Sequence, residues 1–328
     1  MNRLVLPLGE PARRCFDVVI VDMLHTDTIH IDPPFRERLA AARLDSVPAV
    51  LERLGDHLAA WSRTSDTIRC TLDDGASLYV KRYHYPRWKQ RIRGFFRGTF
   101  CKASRARNEF HTLTLMRDLG IQAVRPVAYG ERRTAHFLQS CFLITEAVPD
   151  AISLSSFIRR YSDFPESSRV RRARREILLS LARQVRHMHE AGFVHRDLFW
   201  RNVLIRSLPD ERFEFYFLDA SVGKRIRLTT RRQESIVRDV AAMGVLAPDF
   251  CSKSDQLRFI LEYLNRDELD PVNRAWLRRV QTHSELLRDS ELQRLARADA
   301  FDPKDNTEDE TETPGIADAA EAPLSTLP

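Results

Sequence analysis

In the segment FVHRDLFWRNVLI (Phe193–Ile205), Asp197 and Asn202 stand five residues apart in a loop framed by apolar runs. A further oxygen donor, Asp219, ends the next apolar run, FYFLD. Phosphoryl transfer needs such a set. A carboxylate must orient the attacking hydroxyl, and oxygen ligands must hold magnesium against the phosphates. Asp197 suits the hydroxyl; Asn202 and Asp219 suit the metal. Upstream, Lys81 ends the strand motif YVK, and Glu109 lies on the helix predicted to follow. A strand lysine whose ammonium is fixed by a helical glutamate can neutralise the α- and β-phosphates of a nucleotide.

These residues need a scaffold of two characters. TIRCTL and SLYVKRY read as strands, and Asp73-Asp74-Gly75 between them is a hairpin signal. A helix is predicted from Ser104 through Met116, ending near Gly120. Strands are predicted around VRPVAYG and HFLQSCFLITEAV. Nearer the start, FDVVIVDML and TIHID look strand-like. PAVLERLGDHLAAW reads as a helix after Ser46, with Pro48 in its first turn and Leu51, Leu54, Leu58 and Trp61 on one face.

After Pro149 the pattern turns helical. A long helix over about Ser168 to Ala191 places Ile177, Leu178, Leu181, Val185 and Met188 on one stripe, and Gly192 stops it. Further helices are predicted over VRDVAAMGVL, DQLRFILEYL and AWLRRVQTHSELL. The expected fold is α+β and bilobal, with a small strand-rich N-lobe and a larger helical C-lobe. The expected partition is 1–64 as an N-terminal extension, 65–150 as the N-lobe, 151–300 as the C-lobe and 301–328 as a tail.

That tail holds eight acids against Lys304 and few aromatics, a composition that favours disorder. The net charge of +6 therefore conceals +13 on residues 1–300. A body this basic points to an anionic partner: a nucleotide, a phospholipid, an acidic glycolipid or a nucleic acid. The arginines of RVRRARRE and KRIRLTTRR belong to that charge, either as ordinary exposed residues or as contacts for such an anionic partner.

Lys81 to Arg107 holds ten Lys/Arg and no acid, interleaved with Trp88, Ile92, Phe95, Phe96 and Phe100. The segment reads either as an interfacial helix or as aromatics packed on the small lobe. No nucleic-acid fold is recognisable, and no nucleic-acid partner is expected. Five cysteines without a CxxC pair support neither a disulfide framework nor a zinc site. With no secretory signal pattern and no apolar run near the length of a bilayer, a cytoplasmic protein is expected.

The combination of YVK, Glu109, HRDLFWRN and LDAS resembles the protein-kinase-like superfamily. Within it the chain most resembles the Kdo/WaaP-type lipopolysaccharide kinases. The stretches that carry this are YVKRYHYPRW, SRARNEFHTLTLMRDLGIQAVRPVAYGE, FLITEAV, HEAGFVHRDLFWRNVLI and FLDASVGKRIRLTTRRQESIVRDVAAM, about residues 78–243. The resemblance implies ATP-dependent phosphorylation of a heptose or Kdo hydroxyl in the lipopolysaccharide inner core, with Mg2+ as cofactor. It implies lipopolysaccharide core or a lipid A-linked glycolipid as partner, met at the cytoplasmic face of the inner membrane.

By position, Lys81 would grip the α/β-phosphates, Glu109 would pair with it, and Asp197 would be the catalytic carboxylate. Asn202 and Asp219 would bind magnesium. Glu146, Ala147 and Val148 would form the hinge whose backbone bonds adenine, and Asp239 would brace the catalytic loop. The sequence departs from protein kinases in three places. It has no GxGxxG, Asp219 is followed by Ala220-Ser221, and Phe199 stands where a Lys or Arg often approaches the γ-phosphate.

Only twenty residues separate Asp219 from Asp239, little room for a peptide-docking platform. Ala247-Pro248-Asp249 follows that helix and reads as a helix-end turn. Phe199 and Trp200 read as sugar-stacking or as core, and Arg201 as an acidic-sugar contact or a solvated loop charge. His195 reads as structural. The alternatives to a sugar kinase are a protein kinase of the same fold and a catalytically weak pseudokinase scaffold at the membrane.

Overall fold

The computed structural model describes residues 18–21, 25–62, 65–85, 103–134, 136–162, 167–209, 211–227 and 229–299. The basic aromatic run over 86–102 and the acidic tail lie outside these residues. The chain divides into two compact units. One holds the chain up to Asp118 together with Val124–Val148; the other holds Leu119–Ala123 and the chain from Pro149.

The first unit is built on strands β1 (Val18–Val21), β2 (Thr26–Ile31), β3 (His57–Ser62), β4 (Ser65–Thr71), β5 (Ser77–His84), β6 (Pro126–Thr134) and β7 (Phe137–Glu146). They form one sheet in the order β1-β2-β6-β7-β5-β4-β3, every neighbouring pair antiparallel. Short helices α1 (Arg36–Ala41) and α2 (Val47–Glu52) join β2 to β3, and α3 (Arg105–Asp118) precedes β6.

Alternation sorts the two faces of the sheet. Leu78, Val80, Phe142 and Ile144 pack with Leu39, Leu44, Val47 and Val50 in one core. Ala106, Phe110, Leu113 and Met116 bury the inner face of α3. The strands before residue 65 therefore belong to the same sheet as β4–β7, and α1 and α2 to the same core.

The helix expected over PAVLERLGDHLAAW ends at Glu52, and His57–Ser62 is a strand instead. Arg53 is already extended, with ψ 127°. Asp56 N–H then donates to the Arg69 carbonyl at 2.9 Å. Gly55 lies so close to β4 that a Cβ there would sit 2.5 Å from Ile68 Cβ. Sheet pairing overrides the apolar stripe, and Leu54 is left 87 % exposed. The expected hairpin is present: Gly75 has φ +80° and Ala76 N–H donates to Asp74 Oδ1 at 3.0 Å.

The second unit opens with β8 (Ala151–Ser153), α4 (Leu154–Ser162) and α5 (Ser168–Glu190). Ser167 caps α5 by accepting from Val170 N–H at 3.2 Å. Gly192, at φ +81°, lets the chain turn out of it. Then come β9 (Phe193–Val194), β10 (Val203–Ser207), β11 (Phe213–Phe217) and β12 (Lys224–Arg225). Helices α6 (Thr229–Gly244), α7 (Ala247–Phe250), α8 (Lys253–Leu264) and α9 (Pro271–Asp299) complete the unit.

Strands β8, β10 and β11 form one small sheet and β9 with β12 another, while α5 packs on α8 and α6 on α9. Helix α6 begins eight residues before the predicted VRDVAAMGVL, so only residues 220–228 link Asp219 to it.

Candidate active site

In the first unit, β5 lies between β4 and β7, with Lys81 paired to Thr67 and Leu143. Leu78 and Val80 point into the core, so period-2 alternation turns Lys81 and Tyr83 to the opposite face, towards α3. Glu109 of α3 is 3 % exposed. Its Oε2 lies 3.7 Å from Lys81 Nζ and accepts the Tyr83 hydroxyl at 3.2 Å. The ammonium also sits 5.5 Å from the centroid of the Tyr83 ring. The structure thus brings Lys81 and Glu109 together, with Tyr83 as a third member that spacing alone did not flag.

Glu146 ends β7, and its N–H donates to the Arg125 carbonyl at 2.9 Å; Ala147 N–H donates to the Ser77 carbonyl at 3.0 Å. Among the backbone groups of the expected hinge, the N–H groups of Glu146 and Ala147 are therefore used within the unit, which leaves the Val148 N–H and the hinge carbonyls to consider.

In the second unit the loop between β9 and β10 is held from beneath by Asp239 of α6, which is fully buried. Asp239 Oδ2 accepts from His195 N–H at 2.7 Å and Oδ1 from Arg196 N–H at 2.6 Å. These two bonds fix Arg196 at φ +67°, a left-handed conformation costly for a side chain of that size. His195 is buried, and its Nε2 lies 3.0 Å from the Leu218 carbonyl. It is structural, as its position suggested.

The same loop holds two of the predicted site residues, Asp197 and Asn202, and the sheet brings the chain before Asp219 alongside it. Asn202 directs its amide nitrogen to Asp197, 2.8 Å from the carbonyl and 2.9 Å from Oδ2. Strands β10 and β11 pair Val203 with Phe217, and Leu218 N–H donates to the Asn202 carbonyl at 3.1 Å. That register sets Asn202 beside Leu218, one residue from Asp219. Asp219 sits at φ +56°, a left-handed position that aspartate tolerates better than most residues.

With the Asn202 nitrogen committed to Asp197, its Oδ1 is the atom left for a cation. Asn202 Oδ1 and the Asp219 carboxylate are hard oxygen donors of the kind magnesium selects, and they are the groups here that could hold it.

Arg201 is neither a free loop charge nor turned outward. Its Nη2 donates to Asp197 Oδ1 at 3.0 Å and its Nη1 to Glu291 Oε2 at 2.5 Å. The guanidinium lies 4.1 Å from the centroid of the Phe199 ring. Trp200 packs as core against Phe250, 6 % exposed, and Phe199 is half-buried beneath Arg201. Sequence reasoning missed Glu291. It lies ninety residues downstream on α9, and one acid in a helix of alternating charge gives no local sign of its target.

A strand-rich unit carrying a lysine–glutamate pair and a helical unit carrying this loop give the chain a protein-kinase-like fold. The solved structure of WaaP in complex with acyl carrier protein is similar at a TM-score of 0.56 and 23 % identity, covering 79 % of this chain and 98 % of that one. The model of the lipopolysaccharide kinase (Kdo/WaaP) family matches residues 60–263, and the chain belongs to that family.

Lipopolysaccharide core heptose(I) kinase WaaP of Pseudomonas aeruginosa is 28 % identical over 165 residues, 49 % of this chain and 60 % of the relative. The Escherichia coli protein of that name is 31 % identical over 129 residues, 38 % of this chain and 46 % of its own length. The 3-deoxy-D-manno-octulosonic acid kinase of Vibrio cholerae is 29 % identical over 121 residues, 37 % and 45 % of the two chains. The chain thus spans about half the length of the curated relatives it matches.

Proposed function

We propose that this protein transfers the γ-phosphoryl group of ATP to a sugar hydroxyl, heptose or Kdo, of the lipopolysaccharide inner core. The observation that carries the reading is the Asp197 carboxylate, held in one orientation by Asn202 and Arg201, with Asp219 next to Leu218, whose N–H bonds the Asn202 carbonyl. Lys81, held by Glu109, offsets charge on the α- and β-phosphates, and Val148 meets adenine through its backbone. Asn202 and Asp219 hold Mg2+, which when bound offsets charge on the phosphate oxygens.

Asp197 orients the sugar hydroxyl for in-line attack. The new bond joins the sugar oxygen to phosphorus, the bond to the β-phosphate oxygen breaks, and Asp197 accepts the proton. No phosphoenzyme is required. The nine residues between Asp219 and α6 support a sugar rather than a peptide acceptor, since a peptide platform is normally built from that segment. Among the described residues no helix is long and apolar enough to cross a membrane. We place the protein in the cytoplasm, working at the inner-membrane surface where nascent lipopolysaccharide is exposed.

The test is mass spectrometry of core oligosaccharide from cells with and without the gene, paired with transfer from labelled ATP to core oligosaccharide by purified protein. Loss of one phosphate per core, and loss of transfer in Asp197→Ala, is the expected result. Undiminished core phosphate, or transfer to a peptide alone, overturns it.

A further inference from the structure

Beside the catalytic loop, and wholly within the second unit, lies a pocket of about 380 Å³ lined by Arg196, Lys224, Arg225, Arg227, Arg231 and Arg238. It is a depression open to solvent, and its cationic lining residues are exposed, so a phosphate can reach them. Its walls are β12 and the first half of α6. Arg231, Ser235 and Arg238 recur at helical spacing and so share one face of α6. Arg225 packs its stem beside Gly192, and Arg196 Nη1 donates to the Val222 carbonyl at 3.3 Å.

The one acid in the lining, Glu234, is engaged elsewhere. It accepts from Arg279 at 2.6 Å and lies 3.3 Å from His283 Nε2, both on α9. Six cations thus face a space whose single carboxylate is already shared with α9. Such a concentration of guanidinium groups is suited to bidentate recognition of phosphate.

The geometry points to a binding site for a second phosphate group on the acceptor glycolipid, distinct from the phosphate being transferred. Arg196 adjoins Asp197 in the chain, so one wall of the pocket and the carboxylate that orients the acceptor hydroxyl are carried by consecutive residues of the same loop. One acceptor molecule can present its hydroxyl to Asp197 and an existing phosphate to these arginines. The site would then select acceptors that are already phosphorylated. This assignment rests on the sugar-kinase reading above.

Two measurements on the full chain test it. In the first, kcat/KM is compared for a lipid A-linked core acceptor and the same acceptor stripped of its phosphates. The wild type should prefer the phosphorylated form by about tenfold or more, the scale of one charged hydrogen-bonded contact. Arg225→Gln/Arg231→Gln should lose that preference, while Arg225→Lys/Arg231→Lys, which keeps the charge and guards against misfolding, should retain part of it.

In the second, binding is measured to phosphatidylcholine vesicles carrying bisphosphorylated lipid A or charge-matched phosphatidylglycerol. The wild type should favour lipid A and the Gln variant should not. Equal binding to both vesicles, together with no acceptor preference, overturns the pocket even if transfer to core sugar is normal. Lipid A selectivity that depends on these arginines without any sugar-kinase activity overturns the functional reading and leaves the phosphate site standing.

Discussion

Arg201 holds Asp197 at 3.0 Å, and it does so from a position that Glu291 of α9 fixes at 2.5 Å. Glu291 is 4 % exposed and is also met by Arg294 at 3.2 Å. The carboxylate assigned to the acceptor hydroxyl is therefore oriented by a chain of charges that runs into the last described helix. On the proposed mechanism Glu291 touches no reacting atom and acts as a positioning residue through Arg201. Glu291→Gln keeps the shape but weakens the hold on Arg201. The expected result is a fall in kcat of about tenfold with KM for ATP little changed, since a group acting on orientation affects the transfer step. Arg201→Lys should also fall below the wild-type rate, because an ammonium cannot span both carboxylates as a planar guanidinium does. Steady-state kinetics with both substrates varied checks this; a change confined to KM for ATP would contradict it.

Asp239 gives a prediction about stability. Its two oxygens accept from consecutive backbone N–H groups and keep Arg196 left-handed. Asp239→Asn presents one acceptor where two are needed and leaves a buried donor facing a donor. The expected loss is about 2–4 kcal/mol of unfolding free energy, from an unsatisfied buried group together with weakened support of a strained residue. Denaturant titration at matched m-values measures it. Arg196→Gly, which removes the backbone strain, should recover part of the loss in the double variant.

The Lys81–Glu109 pair should separate nucleotide handling from acceptor handling. Lys81→Met removes the cation, and kcat/KM for ATP is expected to fall by at least about a hundredfold, the scale of losing a charge that stabilises transferring phosphates. Glu109→Gln keeps the lysine but loosens its position, and a smaller fall of about tenfold is expected. Neither change should alter KM for the sugar acceptor by more than a small factor. Tyr83→Phe removes the hydroxyl that also binds Glu109 and should lie nearest to wild type. If the tyrosine variant lost as much as Lys81→Met, the strand lysine would not be the group that matters.

How much of this was legible in the sequence depended on whether a signal was local. The Asp73-Asp74-Gly75 turn, the stop at Gly192 and the long stripe of α5 are decided by residues next to one another, and all three stand in the structure. The chemistry of Asp197 and Asn202 was legible because one loop holds both. The helix expected through Trp61 failed for the opposite reason. Leu51, Leu54 and Leu58 suit a helical period, but β4 offers hydrogen-bond partners that a propensity argument cannot see. Glu291 and the partners of Glu234 were likewise invisible, because a charge in α9 acquires meaning only when the fold sets it against the catalytic loop or α6.

Two thiols, Cys141 buried and Cys251 half-buried, give a prediction at alkaline pH. Burial pushes Cys141 up to about 11 from an ordinary thiol value of 9.0, and Cys251 likewise up to about 11. Both groups keep a proton in the folded protein that the unfolded chain has given up above pH 9. The unfolded state therefore binds fewer protons in that window, and stability falls as pH rises from about 9 to about 11 while remaining unaffected by these thiols below it. Tyr263, raised by the same burial, extends the decline to higher pH. Denaturation midpoints at pH 8, 9, 10 and 11 should show the fall, and Cys141→Ala should make it shallower without changing its sign. Below pH 8 both thiols should react slowly with iodoacetamide in the native protein and rapidly in denaturant, since only the thiolate is nucleophilic. Fast labelling of native Cys141 at pH 7, read from its peptide by mass spectrometry, would show that the thiol is less buried than β7 makes it.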